Sequence, residues 1–286
     1  MDSIKNVLVP IDFSKDSNAA LSAANNFAQM SNSKVHLVNF FFPSDNVKQK
    51  HPKKAVLGNE DEIYQRQLDE EYQKILDELK SLAEKTLDPE LKGKAFAVAA
   101  EISESFERFL EEVKIDFIIA GDESSKGLLE FFEGSRSENM LQDADVPVMV
   151  VEDSDDFVFD DIMIATDLSL EIPVTSLGIC KFFQSNGATV HFVNVITTDV
   201  DTKKEVKGKI EQLAENAGFE EYEIFITRSE KEVDGIREAI KEISPDLVLM
   251  KTYEKSRVWR LIFGSLTEKV IRDWDVHVLA EKVDNH

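Results

Sequence analysis

"KNVLVPIDFS" (Lys5–Ser14) and "DDIMIATDLS" (Asp160–Ser169) are two versions of one pattern: an apolar run of strand length, then Asp, an apolar residue and Ser. The same spacing of 155 residues relates "SKVHLVNFF" (Ser33–Phe41) to "ATVHFVNVI" (Ala188–Ile196). Farther along, the spacing drops to 130: "IDFIIAG" (Ile115–Gly121) matches "PDLVLMK" (Pro245–Lys251), and "GSRSENMLQDADVPVMVVE" (Gly134–Glu152) matches "GSLTEKVIRDWDVHVLAEK" (Gly264–Lys282). A repeat on this scale decides the architecture before any single motif does. The chain reads as two copies of one domain, 1–152 and 157–286, joined by the acidic "EDSDD" (Glu152–Asp156). The change of spacing falls between Phe41 and Ile115. It places an insertion at about 44–62 and a long helix at about 62–86 in the first copy.

Within each copy, strand-length apolar runs alternate with stretches of helical period, the signature of a mostly parallel sheet covered by helices. In the first copy the runs are "VLVPI", "VHLVNF", "KAFAVAA", "DFIIA" and "VPVMVV". The expected fold is α/β, with two tandem open parallel five-stranded sheets carrying helices on both faces and related by a pseudo-twofold. Leu68, Tyr72, Ile75, Leu79 and Leu82 recur at spacings of three and four, an amphipathic stripe expected to pack on the sheet. Val206, Ile210, Leu213 and Ala217 repeat that face in the second copy, and Gly218 closes the helix. Pro147 lacks the N–H that a central strand uses, so Val146–Val151 belongs at an edge. Its expected neighbour is "VHVLA" (Val276–Ala280) of the other copy.

The formal net charge of -23 over 286 residues argues against nucleic-acid and anionic membrane partners. The basic "KQKHPKK" (Lys48–Lys54) reads as a solvated loop. A single cysteine, Cys180, excludes an internal disulfide. With no apolar stretch long enough for a membrane span and no leader pattern at "MDSIKNVLVPID", a cytoplasmic location is expected. A Walker A loop, a dinucleotide fingerprint, a nucleophile elbow and a zincin pair are all missing. His36 and His191 occupy matching strand positions and read as packed residues, not bases. No catalytic or metal-ligating residues are assigned, and the expectation is a protein that is not an enzyme, with at most weak ATP hydrolysis.

Ligands of open parallel sheets bind beyond the carboxyl ends of the strands, where the strand order reverses. Two segments of each copy lead there. One is the exit of the first strand, with Asp12 and Ser14 in the first copy and Asp167 and Ser169 in the second. Asp12 or Ser14 also suits the cap of the following helix. The other is the loop after the fourth strand, "GDESSKGLLEFFEGS" (Gly121–Ser135) and "KTYEKSRVWRLIFGS" (Lys251–Ser265), each closing on Gly-Ser where a helix opens. Such a helix N-terminus suits an anion.

On these residues the chain resembles the universal stress protein family in its tandem form, over essentially both copies. The family pattern is a first-strand Asp, then Gly, two residues, Gly, nine residues, Gly and Ser or Thr. In its ATP-binding members the glycines and hydroxyl hold the triphosphate and the Asp lies near adenine or ribose. The resemblance implies an adenine nucleotide alpha hydrolase-like fold. In the first copy it implies a nucleotide site of Asp12, Gly121, Ser124, Gly134 and Ser135, for ATP with Mg or a related adenine nucleotide. The second copy matches as Asp167, Lys251, Glu254, Gly264 and Ser265, a degenerate site in which two glycines are replaced and Glu254 faces the phosphates. Glycine in such a loop permits close backbone approach to phosphate, which Ser124 restricts. The alternative is a nucleotide-free protein-interaction module of the same fold. An unknown protein partner, pairing of the two domains within the chain and a homodimer of tandem chains complete the expected partners.

Overall fold

Val7, Leu8 and Val9 are all fully buried, which is why the first strand, β1 (Asn6–Pro10), is a continuous apolar run and not an alternating one. The computed structural model describes residues 4–41, 59–99, 113–121, 146–152, 157–168, 174–198, 201–252 and 276–282. The basic run at 48–54 lies outside them. By its contacts the chain divides into two units, meeting between Asp143 and Ala144.

In the N-terminal unit β1 pairs in parallel with β2 (Lys34–Phe41) on one side and with β4 (Phe117–Gly121) on the other. β3 (Lys92–Ala99) extends the sheet beyond β2, giving the order β3-β2-β1-β4. Helix α1 (Lys15–Ser31) starts at Ser14, whose Oγ accepts the Ser17 N–H at 3.1 Å. It ends at Asn32, left-handed at φ 57, whose N–H donates to the Ala28 carbonyl. Its buried face is largely alanine: Ala19, Ala20, Ala23, Ala24 and Ala28, with Leu21 and Phe27. Small side chains let the helix lie close on β1 and β4, and the Phe27 ring meets Phe117 edge-on at 5.2 Å. Helix α2 (Asn59–Thr86) spans the long helix expected at about 62–86. It lies on β3 and β2, with Tyr72 and Ile75 packed on Phe41 and Ala97, so the amphipathic stripe covers the sheet as expected.

The C-terminal unit repeats the plan. β6 (Asp161–Ala165), β7 (Thr189–Ile196), β8 (Glu223–Arg228), β9 (Leu247–Thr252) and β10 (His277–Lys282) are all parallel. β5 (Val148–Val151) joins them antiparallel to β10, Val150 opposite Val278, giving the order β5-β10-β9-β6-β7-β8. This is the pairing expected from Pro147, and its hydrogen bonds group β5 with the C-terminal unit although it ends the first repeat in sequence. Three helices serve this sheet: α3 (Val174–Ser185), α4 (Lys203–Ala217) and α5 (Glu232–Ile243). A reciprocal capping box between Thr202 and Glu205 opens α4, and Gly218 closes it at φ 75, where only glycine is relaxed. Val206, Ile210 and Leu213 are buried beneath it, Ala217 only partly. Cys180 is fully buried in α3.

Three polar devices recur at matching positions. Asp116 accepts the N–H groups of Lys5 and Asn6 at 2.8 and 2.9 Å, and Asp246 accepts those of Asp160 and Asp161 at 2.8 and 3.0 Å. Asn39 and Asn194 donate to the carbonyls of Ile11 and Thr166 at 2.6 and 2.8 Å. His36 accepts the Lys94 N–H at Nδ1, which leaves Nε2 to donate to Asn6 Oδ1 at 3.1 Å. Burial, with lesser repulsion from Lys94 and Lys34, pushes the His36 pKa down to about 4. His191 instead meets a carboxylate at each ring nitrogen, Asp161 at 2.7 Å and Glu223 at 3.3 Å.

Candidate nucleotide site

The carboxyl ends of β1 and β4 are neighbours, and the strand order reverses there, since the chain steps from β1 to β2 on one side and reaches β4 on the other. The Asn39 bond to Ile11 pins the backbone as it leaves β1. Asp12 Oδ1 then accepts the Ser14 N–H at 2.9 Å, and Phe13 between them is left-handed at φ 64 with its ring partly exposed. A bulky residue in that conformation costs roughly 1 kcal/mol or more, and such strain gathers at functional turns. Burial pushes the Asp12 carboxyl up, but hydrogen bonds from Ser14 and Ser17 outweigh it and hold the pKa below the usual value. The exit of β1 therefore offers a charged acceptor beside the capped N-terminus of α1. Both helix-cap roles considered for Asp12 and Ser14 are resolved: Ser14 is the cap, and Asp12 makes the turn before it.

Gly121 closes β4 against the first turn of α1. A Cβ there would stand 2.4 Å from the Asp16 carbonyl oxygen and 2.5 Å from its carbon, so no side chain fits. The close approach this glycine permits is to Asp16, and packing alone accounts for it. The fold thus sets Gly121 against the first turn of the helix that Asp12 and Ser14 lead into, while Ser124, Gly134 and Ser135 lie outside the described residues.

In the C-terminal unit the exit of β6 has the same strained turn. Leu168 is left-handed at φ 67, and its N–H donates to Thr166 Oγ1 at 3.1 Å. Here burial, and then the charge of Asp167, raise the pKa of Glu232 in the first turn of α5. Lys251 stands in β9 in register with Glu281. Glu254, Gly264 and Ser265 lie outside the described residues. Glu232 gave no sign in the sequence reading, because it is far from Asp167 along the chain. The signal was its place at the start of the helix after β8, on the side of the sheet where the strands end.

Among the described residues, no group of three or more His, Cys, Asp or Glu converges as a metal site, and no helix is long and apolar enough to cross a membrane.

The sequence profile described as the universal stress protein family matches residues 3–152 and again 159–281. No curated protein matches the chain. Among solved structures, a universal stress protein from Archaeoglobus fulgidus DSM 4304 is similar at 21% identity and a TM-score of 0.63, with 98% of this chain and 97% of that one covered. A functionally unknown protein from Pseudomonas aeruginosa PAO1 is similar at 15% identity and 0.56, covering 98% and 92%. The cytoplasmic domain of a prokaryotic cation chloride cotransporter is similar at 11% identity and 0.52, covering 97% and 95%. At these identities the structures speak for the fold, and the doubled profile match over nearly the whole length speaks for descent. The chain belongs to the universal stress protein family, in a tandem form with two copies of the domain.

Proposed function

We propose that this protein is a cytoplasmic stress-response binding protein without turnover, whose first domain takes an adenine nucleotide, ATP with Mg, while its second has lost that ligand. The observation that carries the reading is the contrast between the two strand exits. The first offers the Asp12 carboxylate, the capped start of α1 and an end of β4 free of side chains. Asp12 suits the hydroxyl and amino donors of a nucleoside, and helix N-termini suit phosphate. In the second the charge of Asp167 acts on Glu232, and Lys251 stands where the first has glycine. Paired carboxyl groups at that mouth repel a triphosphate.

A nucleotide-free interaction module is the second reading. It is favoured by the packing role of Gly121, which explains that residue without a ligand. The two readings separate on protein purified natively. Native mass spectrometry and ultraviolet absorbance should find one adenine nucleotide per chain, or the stripped chain should take up one Mg-ATP. No bound adenine, and no binding at millimolar Mg-ATP, rejects the nucleotide reading.

A further inference from the structure

The two units end on outer strands of opposite character. β3 carries Lys92 and Lys94 around Gly93, and its register with β2 shifts between Val35 and Leu37. A Cβ at Gly93 would lie 2.7 Å from the Val35 carbonyl oxygen, so the irregularity is built in. Lysines, glycine and broken register are the means by which sheets discourage the addition of another strand. β8 has none of them. It pairs with β7 in unbroken register from Glu223 to Arg228, contains no Pro, Gly or Lys, and among the described residues no strand lies on its other side.

Beside β8, α4 leaves an open groove of about 630 Å³. Its floor is Tyr222, Ile224 and Ile226, alternate residues that share one face of the strand and are only half-buried. The Tyr222 ring is held edge-on to Phe192 at 5.5 Å, which fixes that end of the floor. Glu211, Glu220 and Glu221 form the rim. The lining cation, Lys207, is within 3.7 Å of Glu211, and Arg228 is turned back to the carbonyls of Thr198 and Asp201.

The geometry points to strand addition at β8 by an extended segment of a partner protein that carries apolar residues two apart, flanked by Lys or Arg. The outer edge of β8, which no described strand covers, supplies backbone hydrogen bonds, the isoleucine floor accepts alternate apolar side chains, and the glutamate rim takes the cations. A second copy of this chain is the poorer occupant, because each copy carries a net charge of -23 and the same acidic rim. This surface is separate from the strand exits and does not depend on nucleotide binding.

The test uses the full chain and a blocked peptide, Lys-Thr-Val-Thr-Val-Thr-Lys, which sets its Val and Lys side chains on one face. Hydrogen exchange should show the amides of Glu223–Arg228 slowed at least tenfold with saturating peptide. The same peptide N-methylated on its edge-facing amides keeps its charge and should bind at least tenfold more weakly. The Ile224→Thr, Ile226→Thr double variant, which preserves strand preference, should lose affinity by a similar factor. Should that variant not fold, the N-methylated peptide on the unaltered chain still decides. Undiminished binding of the N-methylated peptide, protection elsewhere or no binding overturns the proposal. So does a dimer, seen by sedimentation, that the isoleucine changes dissociate.

Discussion

At the exit of β1 the chain turns through Asp12, Phe13 and Ser14 into α1, whose first turn lies against Gly121; at the exit of β6 the matching turn passes Asp167 and Leu168, the charge of Asp167 acts on Glu232, and Lys251 takes the place of the glycine. Away from these exits the two copies keep the same devices, Asp116 and Asp246 at the strand starts and Asn39 and Asn194 at the turns. Each satisfies backbone groups that neither copy can leave unpaired. A close approach of helix to strand also fixes Gly121, so a glycine kept in one copy and lost in the other reports packing as well as ligand.

The sharpest way to break this comparison is to exchange that residue. Gly121→Lys forces a side chain into the Asp16 backbone and should cost about 3 kcal/mol in urea unfolding. Lys251→Gly should change stability by about 1 kcal/mol or less, through strand preference alone. Equal costs would mean that the two exits are packed alike.

Next in size are the shared devices. Asp116→Ala and Asp246→Ala each strand two backbone N–H groups and should each cost about 2 kcal/mol. A cost in one copy only would show that the frame is not symmetric.

The strand pattern, the repeat, the pairing of Val146–Val151 with the last strand of the second copy and the packing stripe of α2 were legible because each rests on periodicity or on a missing N–H. The neutral state of His36 was legible only as a packed histidine; its cause is burial, with lesser repulsion from Lys94 and Lys34, and the Lys94 N–H that meets its Nδ1 depends on the irregular register at Gly93, which no periodicity shows. The turn from β1 through Asp12 to the Ser14 cap was legible because Asp and Ser are the residue types that make such turns and caps. Glu232 and the contact of Gly121 with Asp16 were not, since each joins residues from different elements by distance rather than by spacing.

A comparable effect follows from pH. Burial holds His277 neutral, with its pKa pushed down to about 4 in spite of Asp246, while its Nδ1 accepts the Glu152 N–H at 3.2 Å. His36 is likewise lowered to about 4. Unfolding returns both to about 6.5 and takes up protons. The stability they contribute is complete above pH 6.5 and is lost as the pH falls toward 4. Urea midpoints should therefore decline between pH 7 and 5, and His277→Gln should flatten the slope; an unchanged slope contradicts its assignment. Smallest is Ser14→Ala, which removes the α1 cap and should cost about 1 kcal/mol, read from the urea midpoint.

The central claim, that one exit binds nucleotide and the other does not, is tested most directly by calorimetric titration of the full chain with Mg-ATP. Unaltered protein should give one site per chain. Gly134→Trp should abolish the heat, and Gly264→Trp should leave stoichiometry and affinity unchanged. Two sites per chain, or equal losses from the two substitutions, would contradict the account.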